Sequence, residues 1–179
     1  MLKIVRTTLV AMLCSLPLTA LADLAAIPSG NYTLDKTHGY ITFSYSHLGF
    51  STPQVGLNEF DVTLNLDTQN PEKSTLEVLI DAASIDSRVE EFDEHLNGEE
   101  FFNTAKFPEI TFQSTAITKT GESTFDIAGN LTIMGQTHPA TFAATINKAA
   151  KNPMKKVDAL GVSAETKILR SQWEIGRAS

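Results

Sequence analysis

Apolar and polar residues alternate one by one along most of this chain. Because successive side chains of a β-strand point to opposite faces, a period of two predicts strands with one buried and one exposed face. The alternating runs, which no repeat or linker separates, begin at Ile41, Phe60, Leu76, Ile110, Phe125, Phe142 and Leu160. About seven such strands predict a single all-β domain.

Two architectures fit this pattern. In a sandwich, two sheets fill each other's inner faces, whereas a barrel of about eight strands has a lumen wide enough for one small ligand. The ten phenylalanines of the sequence indicate a large apolar interior in either case. Periodicity alone does not distinguish a filled interior from a hollow one.

Turns and one helix interrupt the alternation. Asn70-Pro71 and Gly121-Glu122 predict turns, and Gly135-Gln136 predicts a two-residue hairpin loop. The segment Ser87-Arg88-Val89-Glu90 has the residue types of a capping box, in which the serine and glutamate side chains satisfy free amides, so it predicts a helix start.

The helix predicted after this box carries Val89, Phe92 and Leu96 on one face. Gly98 is the expected helix stop. Residues 147–158 are rich in lysine and predict an exposed loop.

The first 22 residues have the composition of a secretory signal peptide. A basic start is followed by an apolar stretch at residues 9–18, and Ala20-Leu21-Ala22 has the small residues that a signal peptidase requires. The stretch is too short for a permanent membrane-spanning helix. We therefore predict cleavage after Ala22, export to the periplasm, and one mature domain over residues 23–179.

The predicted mature domain is acidic and has no cysteine. Cys14 lies in the signal peptide, so the domain must fold without a disulfide. Removal of the two cations Lys3 and Arg6 changes the formal net charge from −7 to −9. This acidity disfavours nucleic acid as a partner. No later run of about 18 apolar residues exists, so we expect no stable membrane insertion.

Short motifs follow one another through the predicted mature domain. In order, the most distinctive are Tyr32-Thr33-Leu34-Asp35, His47-Leu48-Gly49-Phe50-Ser51, Asp93-Glu94-His95-Leu96, Lys106-Phe107-Pro108 and Gly129-Asn130-Leu131-Thr132-Ile133-Met134-Gly135-Gln136-Thr137. In their order and spacing, they resemble the YceI-like family of secreted polyisoprenoid-binding proteins.

The resemblance implies a lipocalin-like antiparallel β-barrel of about eight strands with one short helix packed beside it. It also implies that a long isoprenoid tail, such as that of a quinone or a polyprenyl phosphate, lies in the apolar lumen for transport or storage. The lipid would be a bound ligand, and no covalent cofactor is implied. The acidity of the whole chain favours a neutral head group.

The sequence departs from the family pattern at three places. Asn97 stands where the family often has arginine, and Leu57 stands where it often has an aromatic residue. Family members usually add one more alternating strand after an Arg-Ser-x-aromatic motif, whereas this sequence reaches Arg170-Ser171-Gln172-Trp173 and ends at Ser179. For the sequence as it stands, we expect an open sheet edge.

The residues expected to line the lumen face inward from the alternating runs or cover one end from the helix. They are Phe43, Tyr45, His47, Phe60, Leu64, Val78, Ile80, Phe92, Leu96, Phe112, Ile127, Leu131, Phe142 and Val162. Burial of one five-carbon isoprene unit is worth roughly 3–4 kcal/mol before costs, so capture needs no special polar chemistry. The same residues would also suit a solid core.

Four histidines are the candidate bases or metal ligands, namely His38, His47, His95 and His138. The sequence contains no His-Glu-x-x-His pattern and no Gly-x-Ser-x-Gly pattern. We therefore predict no catalytic site and no metal site. A hydrolase that uses His95 or His47 is the weaker alternative.

The histidines have simpler structural interpretations. We expect His95 to hydrogen-bond nearby backbone, and His38 and His138 to be solvated in loops or turns. A third class of function is a structural or partner-binding β-protein without a small ligand. In that case the open edge would pair with another chain, as in a homodimer.

Overall fold

The computed structural model of the protein describes residues 23–176. The predicted signal peptide lies outside the described residues. The strands, in chain order, are β1 (Gly30–Thr33), β2 (Ile41–Ser44), β3 (Gln54–Leu57), β4 (Phe60–Leu66), β5 (Thr75–Asp81), β6 (Ile85–Asp86), β7 (Glu109–Lys119), β8 (Thr124–Ile133), β9 (Gln136–Lys151) and β10 (Asp158–Glu165). An α-helix, α1 (Glu90–Asn97), lies between β6 and β7.

Seven of the strands form one antiparallel sheet that curls into a half-barrel. Their order is β1-β4-β5-β7-β8-β9-β10. This arrangement confirms the predicted all-β, lipocalin-like fold with a short helix. Because the large sheet curls around its own interior, the sandwich alternative is wrong.

The two edges of the large sheet are β1 and β10. Within residues 23–176, neither is paired with the other, so the expected open edge is present. Six antiparallel pairings separate the two edges, and both therefore run in the same direction. A single strand antiparallel to both would complete the barrel.

A second, small sheet closes one end of the half-barrel. It consists of β2, β3 and β6 and packs there together with α1. Val55 of β3 and Leu96 of α1 belong to the same buried cluster as Ile110 of β7 and Ile133 of β8. Because β7 begins and β8 ends at this end of the large sheet, the main core lies there.

The β8–β9 hairpin has its loop one residue earlier than predicted. Ile133 pairs with Gln136, so the two loop residues are Met134 and Gly135. Both have positive φ angles, 50° and 71°. A loop of this kind matches the right-handed twist of the flanking strands, which explains why the glycine takes its second position.

The start of α1 is also built differently from the prediction. Val89 is the N-cap residue, and no side chain caps it. The Ser87 backbone N–H donates to the carboxylate of Asp93 at 2.7 Å rather than to that of Glu90. Arg88, with a left-handed φ of 69°, turns the chain between these residues. The expected capping box is therefore wrong.

The apolar face of α1 is correspondingly smaller than predicted. Leu96 is buried and Phe92 packs against the same core, but Val89 is exposed. Gly98 is confirmed as the helix stop, and its N–H donates to the His95 carbonyl at 3.1 Å.

The predicted loop at residues 147–158 is shorter than expected. Residues 147–151 continue β9, where Ala149 pairs with Leu160 of β10. The connection between the strands comprises residues 152–157. The β9–β10 pairing has a register shift between Gly161 and Val162, which interrupts the regular alternation. A period of two therefore does not identify this last part of β9 as a strand.

Candidate ligand-binding cavity

The concave face of the half-barrel surrounds a cavity of about 3310 Å³. All fourteen residues predicted to line the lumen are in its wall: Phe43, Tyr45, His47, Phe60, Leu64, Val78, Ile80, Phe92, Leu96, Phe112, Ile127, Leu131, Phe142 and Val162. The interior is therefore hollow rather than solid. That these residues contact a ligand stays a prediction.

Several wall residues are additional to those predicted. Ile41, Leu76, Ile110 and Ile133 also line the cavity. Each lies two positions from a predicted wall residue on the same strand, and so points to the same face. The alternating pattern thus contained the signal that identifies them.

Much of the wall is apolar surface that faces open space. Phe60, Val78 and Phe142 pack against the core but stay only half-buried. Val162, on the edge strand β10, is exposed. A continuous concave apolar surface of this kind is typical of a ligand-binding site.

A short 3-10 helix, Arg170–Trp173, contributes Arg170 and Ser171 to the cavity lining, while its Trp173 packs into the main core. The Trp173 side chain is 1% exposed, and its indole N–H donates to the Leu131 carbonyl at 3.2 Å. The Arg170 guanidinium donates to the carbonyls of residues 175 and 176, at 2.8 and 2.7 Å, and so holds the following turn. Sequence reasoning missed this segment because it does not alternate. The available signal was the single tryptophan of the chain.

A separate apolar cluster lies at the opposite end, where β1 begins and β9 ends. Ile27, Leu66 and Ala149 are buried together, and Tyr32 packs against them. Burial and the nearby Asp158 carboxylate raise the pKa of the Tyr32 hydroxyl. Because Tyr32 of β1 and Leu160 of β10 pack against this same cluster, the two sheet edges approach each other at this end.

An ion pair also joins the two edges. Lys155 lies in the β9–β10 loop, and Asp35 lies just after β1. The Lys155 ammonium donates to the Asp35 carboxylate at 2.7 Å. The Thr37 hydroxyl donates to the same carboxylate at 2.8 Å, and the His38 Nδ1 atom is hydrogen-bonded to it at 3.0 Å. The hydrogen bond from Lys155, then those from Thr37 and His38, hold the pKa of Asp35 well below its usual range.

We predict that Lys155→Met raises the pKa of Asp35 toward the ordinary carboxyl value. Because the folded-state pKa is depressed, the pair stabilises the fold above the unfolded-state pKa and loses this effect as pH falls through the folded-state pKa. An NMR titration of the Asp35 carboxyl carbon measures the change directly. Lys156→Met removes the neighbouring charge and should leave the titration nearly unchanged. Equal titrations for both variants would contradict the role given to Lys155.

Charge is unevenly distributed around the cavity. Of the eleven Lys and Arg residues within residues 23–176, six line it: Lys36, Lys148, Lys151, Lys155, Lys167 and Arg170. Of the twenty-one Asp and Glu residues, four do: Asp35, Glu100, Asp158 and Glu165. Most of the chain's acidity therefore lies away from the cavity, and positive charge exceeds negative charge in its lining.

Two histidines differ from their predicted environments. Within the described residues, the His95 ring makes no hydrogen bond and instead packs between Phe92 and Phe101, with centroid distances of 6.4 and 4.7 Å. His138 lies in β9 rather than in a turn, with its ring edge-on to Trp173 at 5.0 Å. Its Nε2 atom is buried and has no hydrogen-bond partner among these residues.

The other two histidines are at the surface. His38 is exposed beside Asp35, as expected. The His47 backbone pairs with Ser51, and its exposed side chain lies at the rim of the cavity. Over residues 23–176, no group of three or more His, Cys, Asp or Glu side chains is placed to hold a metal ion. No helix in this part of the chain has the length and apolar character needed to cross a membrane.

Comparison with known proteins identifies the family. The profile of the YceI-like domain matches residues 32–179. The chain belongs to the YceI-like family. A UPF0312 protein of Azotobacter vinelandii is 37% identical over 137 residues, which cover 75% of this chain and 71% of the relative. A UPF0312 protein of Pseudomonas fluorescens is 38% identical over the same length.

Solved structures share the YceI-like fold. The YceI protein of Campylobacter jejuni superposes with a TM-score of 0.66 at 29% identity, over 80% of this chain and 84% of that one. Burkholderia cenocepacia BcnA gives a TM-score of 0.73 at 20% identity, over 81% and 86%. A polyisoprenoid binding domain from Saccharophagus degradans gives 0.53 at 14% identity, over 68% and 69%.

Proposed function

We propose that this YceI-like protein binds a long isoprenoid lipid in its cavity and carries or stores it in the periplasm. The observation that carries the proposal is the hollow interior, whose wall consists of the inward-facing apolar side chains. The signal peptide predicted from the first 22 residues supports the location. The protein from Saccharophagus degradans, described as a polyisoprenoid binding domain, supports the ligand class.

The size of the cavity suits a long ligand. At about 3.3 Å per residue, the ten residues of β8 extend for roughly 33 Å along the wall. Three sheltered isoprene units are worth on the order of 10 kcal/mol before ordering and association costs. Capture therefore follows from apolar burial alone. No reactive group is needed, and we propose a binding protein rather than an enzyme.

The charge distribution favours an anionic head group. The acidity of the whole chain favoured a neutral head group, but the field at a site depends on nearby charges. Cations exceed anions in the cavity lining, which includes Lys148 on β9 and Lys167 just after β10. A polyprenyl phosphate therefore fits the local charge better than a quinone.

Lipid extraction tests the proposal directly. Protein purified from its own host without detergent is expected to yield about one prenyl lipid per chain, recognised by mass spectrometry as a series of isoprene units. A phosphate ester in that lipid would support the anionic head group, and a quinone would contradict it. Protein without prenyl lipid that elutes as a dimer would instead support partner binding through the open edge.

A further inference from the structure

The turn between β2 and β3 exposes two large apolar side chains. Leu48 is 82% exposed and Phe50 is 88% exposed, with Gly49 between them. These three residues, here named the β2–β3 tip, protrude from the small sheet. Leaving both side chains in water forgoes most of the free energy that their burial would provide.

The tip is a defined turn. The His47 N–H donates to the Ser51 carbonyl, and the Phe50 N–H donates back to the His47 carbonyl, both at 2.9 Å. Leu48 and Gly49 have φ angles of 52° and 79°. Bulky side chains rarely adopt the left-handed conformation of Leu48. The backbone hydrogen bonds therefore hold the leucine outward against its local preference.

The chain segment that carries the tip has no charged residue. Residues 37–58 contain no Asp, Glu, Lys or Arg, although the net charge of the chain is −7. A surface that approaches the tip thus meets no formal charge from this segment. An acidic protein can in this way touch a lipid surface without direct repulsion at the point of contact.

The tip also lies at the rim of the cavity, because His47 and Thr52 on either side of it line the cavity. We propose that the β2–β3 tip inserts into the interfacial region of a phospholipid bilayer and brings the cavity opening to the membrane surface. The purpose of this contact, exchange of the lipid ligand, rests on the proposed function. The contact itself does not require that ligand.

The convex shape of the tip favours a bilayer over a protein partner. A stable protein interface buries at least about 1,000 Å², far more than two side chains supply. A fluid interface instead accepts small apolar surfaces, as it does the apolar face of an amphipathic helix, which lies about 5–10 Å deep at the boundary of headgroups and acyl chains. Such an insertion is reversible, as a carrier requires.

The test compares vesicle binding of the wild type with that of Leu48→Ser/Phe50→Ser. Phosphatidylcholine vesicles without prenyl lipid are sedimented with each protein, all prepared in the same way. We expect the double variant to lose at least about tenfold in partitioning. Leu79→Ser and Val89→Ser are matched controls, because these apolar side chains are 44% and 56% exposed and lie outside both the tip and the cavity lining. They should partition like the wild type.

A second readout places the tip in the bilayer. The fluorescence of Phe50→Trp should shift to the blue with vesicles and be quenched by brominated acyl chains, whereas the buried Trp173 contributes a constant background. Equal partitioning of the wild type and the double variant, or no spectral change, would overturn the proposal. Lipid extracted from the double variant reports the cavity separately, so docking can fail while the proposed lipid binding holds.

Discussion

Val78→Glu is expected to lower the affinity for a prenyl lipid at least about a hundredfold. Val78 lines the cavity from the middle of β5, between Val62 on β4 and Phe112 on β7. In the empty cavity a carboxylate there stays hydrated. A bound hydrocarbon tail would remove that water, at a cost of several kcal/mol. Because about 1.4 kcal/mol corresponds to each factor of ten in affinity, this cost accounts for the expected loss.

The adjacent residue supplies the control. Leu79 points to the opposite face of β5 and is 44% exposed, so Leu79→Glu adds the same charge outside the cavity. Titration calorimetry with a quinone bearing four isoprene units measures both variants. This neutral probe is chosen so that the new charge cannot act by repelling the head group. Equal affinities for both variants, with both folded, would show that the lipid does not lie along β5.

The direction of each wall residue could be predicted because the strand period is fixed. A shift of one residue would expose the whole apolar set, so the alternation specifies which face is buried. It does not specify how far that face lies from the opposite wall. This distance depends on strand number, stagger and curl, which arise from all seven strands together. The cavity therefore had to be seen in the structure.

Sequence reasoning was wrong about segments whose structure depends on unusual backbone dihedral angles. Met134 takes a left-handed conformation in the β8–β9 loop, and Arg88 does so before α1. A positive φ is uncommon for methionine and for arginine, so the sequence does not indicate it at either position. The core position of Trp173 was missed for a related reason, since it follows from a short 3-10 turn and not from a periodic pattern.

Gly129→Ala is expected to destabilise the fold by about 3 kcal/mol. A Cβ atom at this position of β8 would collide with the Gln113 carbonyl and lie 2.5 Å from the Phe112 ring. Neither neighbour moves freely, because Phe112 is buried edge-on to Phe142 at 4.9 Å and the carbonyl belongs to β7. Overpacking of this kind typically costs 1–3 kcal/mol or somewhat more. Thermal unfolding should show a fall of about 10 °C.

Gly161→Ala is expected to stabilise the fold, so it is the control that separates the effect of the collision from that of the Gly→Ala change itself. At this position of β10, the nearest atom to a new Cβ lies at 3.8 Å, which is ordinary contact. Without a clash, Gly→Ala reduces the entropy of the unfolded chain and stabilises by about 0.4–1 kcal/mol. The double variant Gly129→Ala/Phe112→Leu removes the ring and should recover part of the stability that Gly129→Ala loses. A double-mutant cycle measures this recovery as a favourable coupling energy. Destabilisation of similar size at both glycines would attribute the effect to the strand backbone and not to the wall of the cavity.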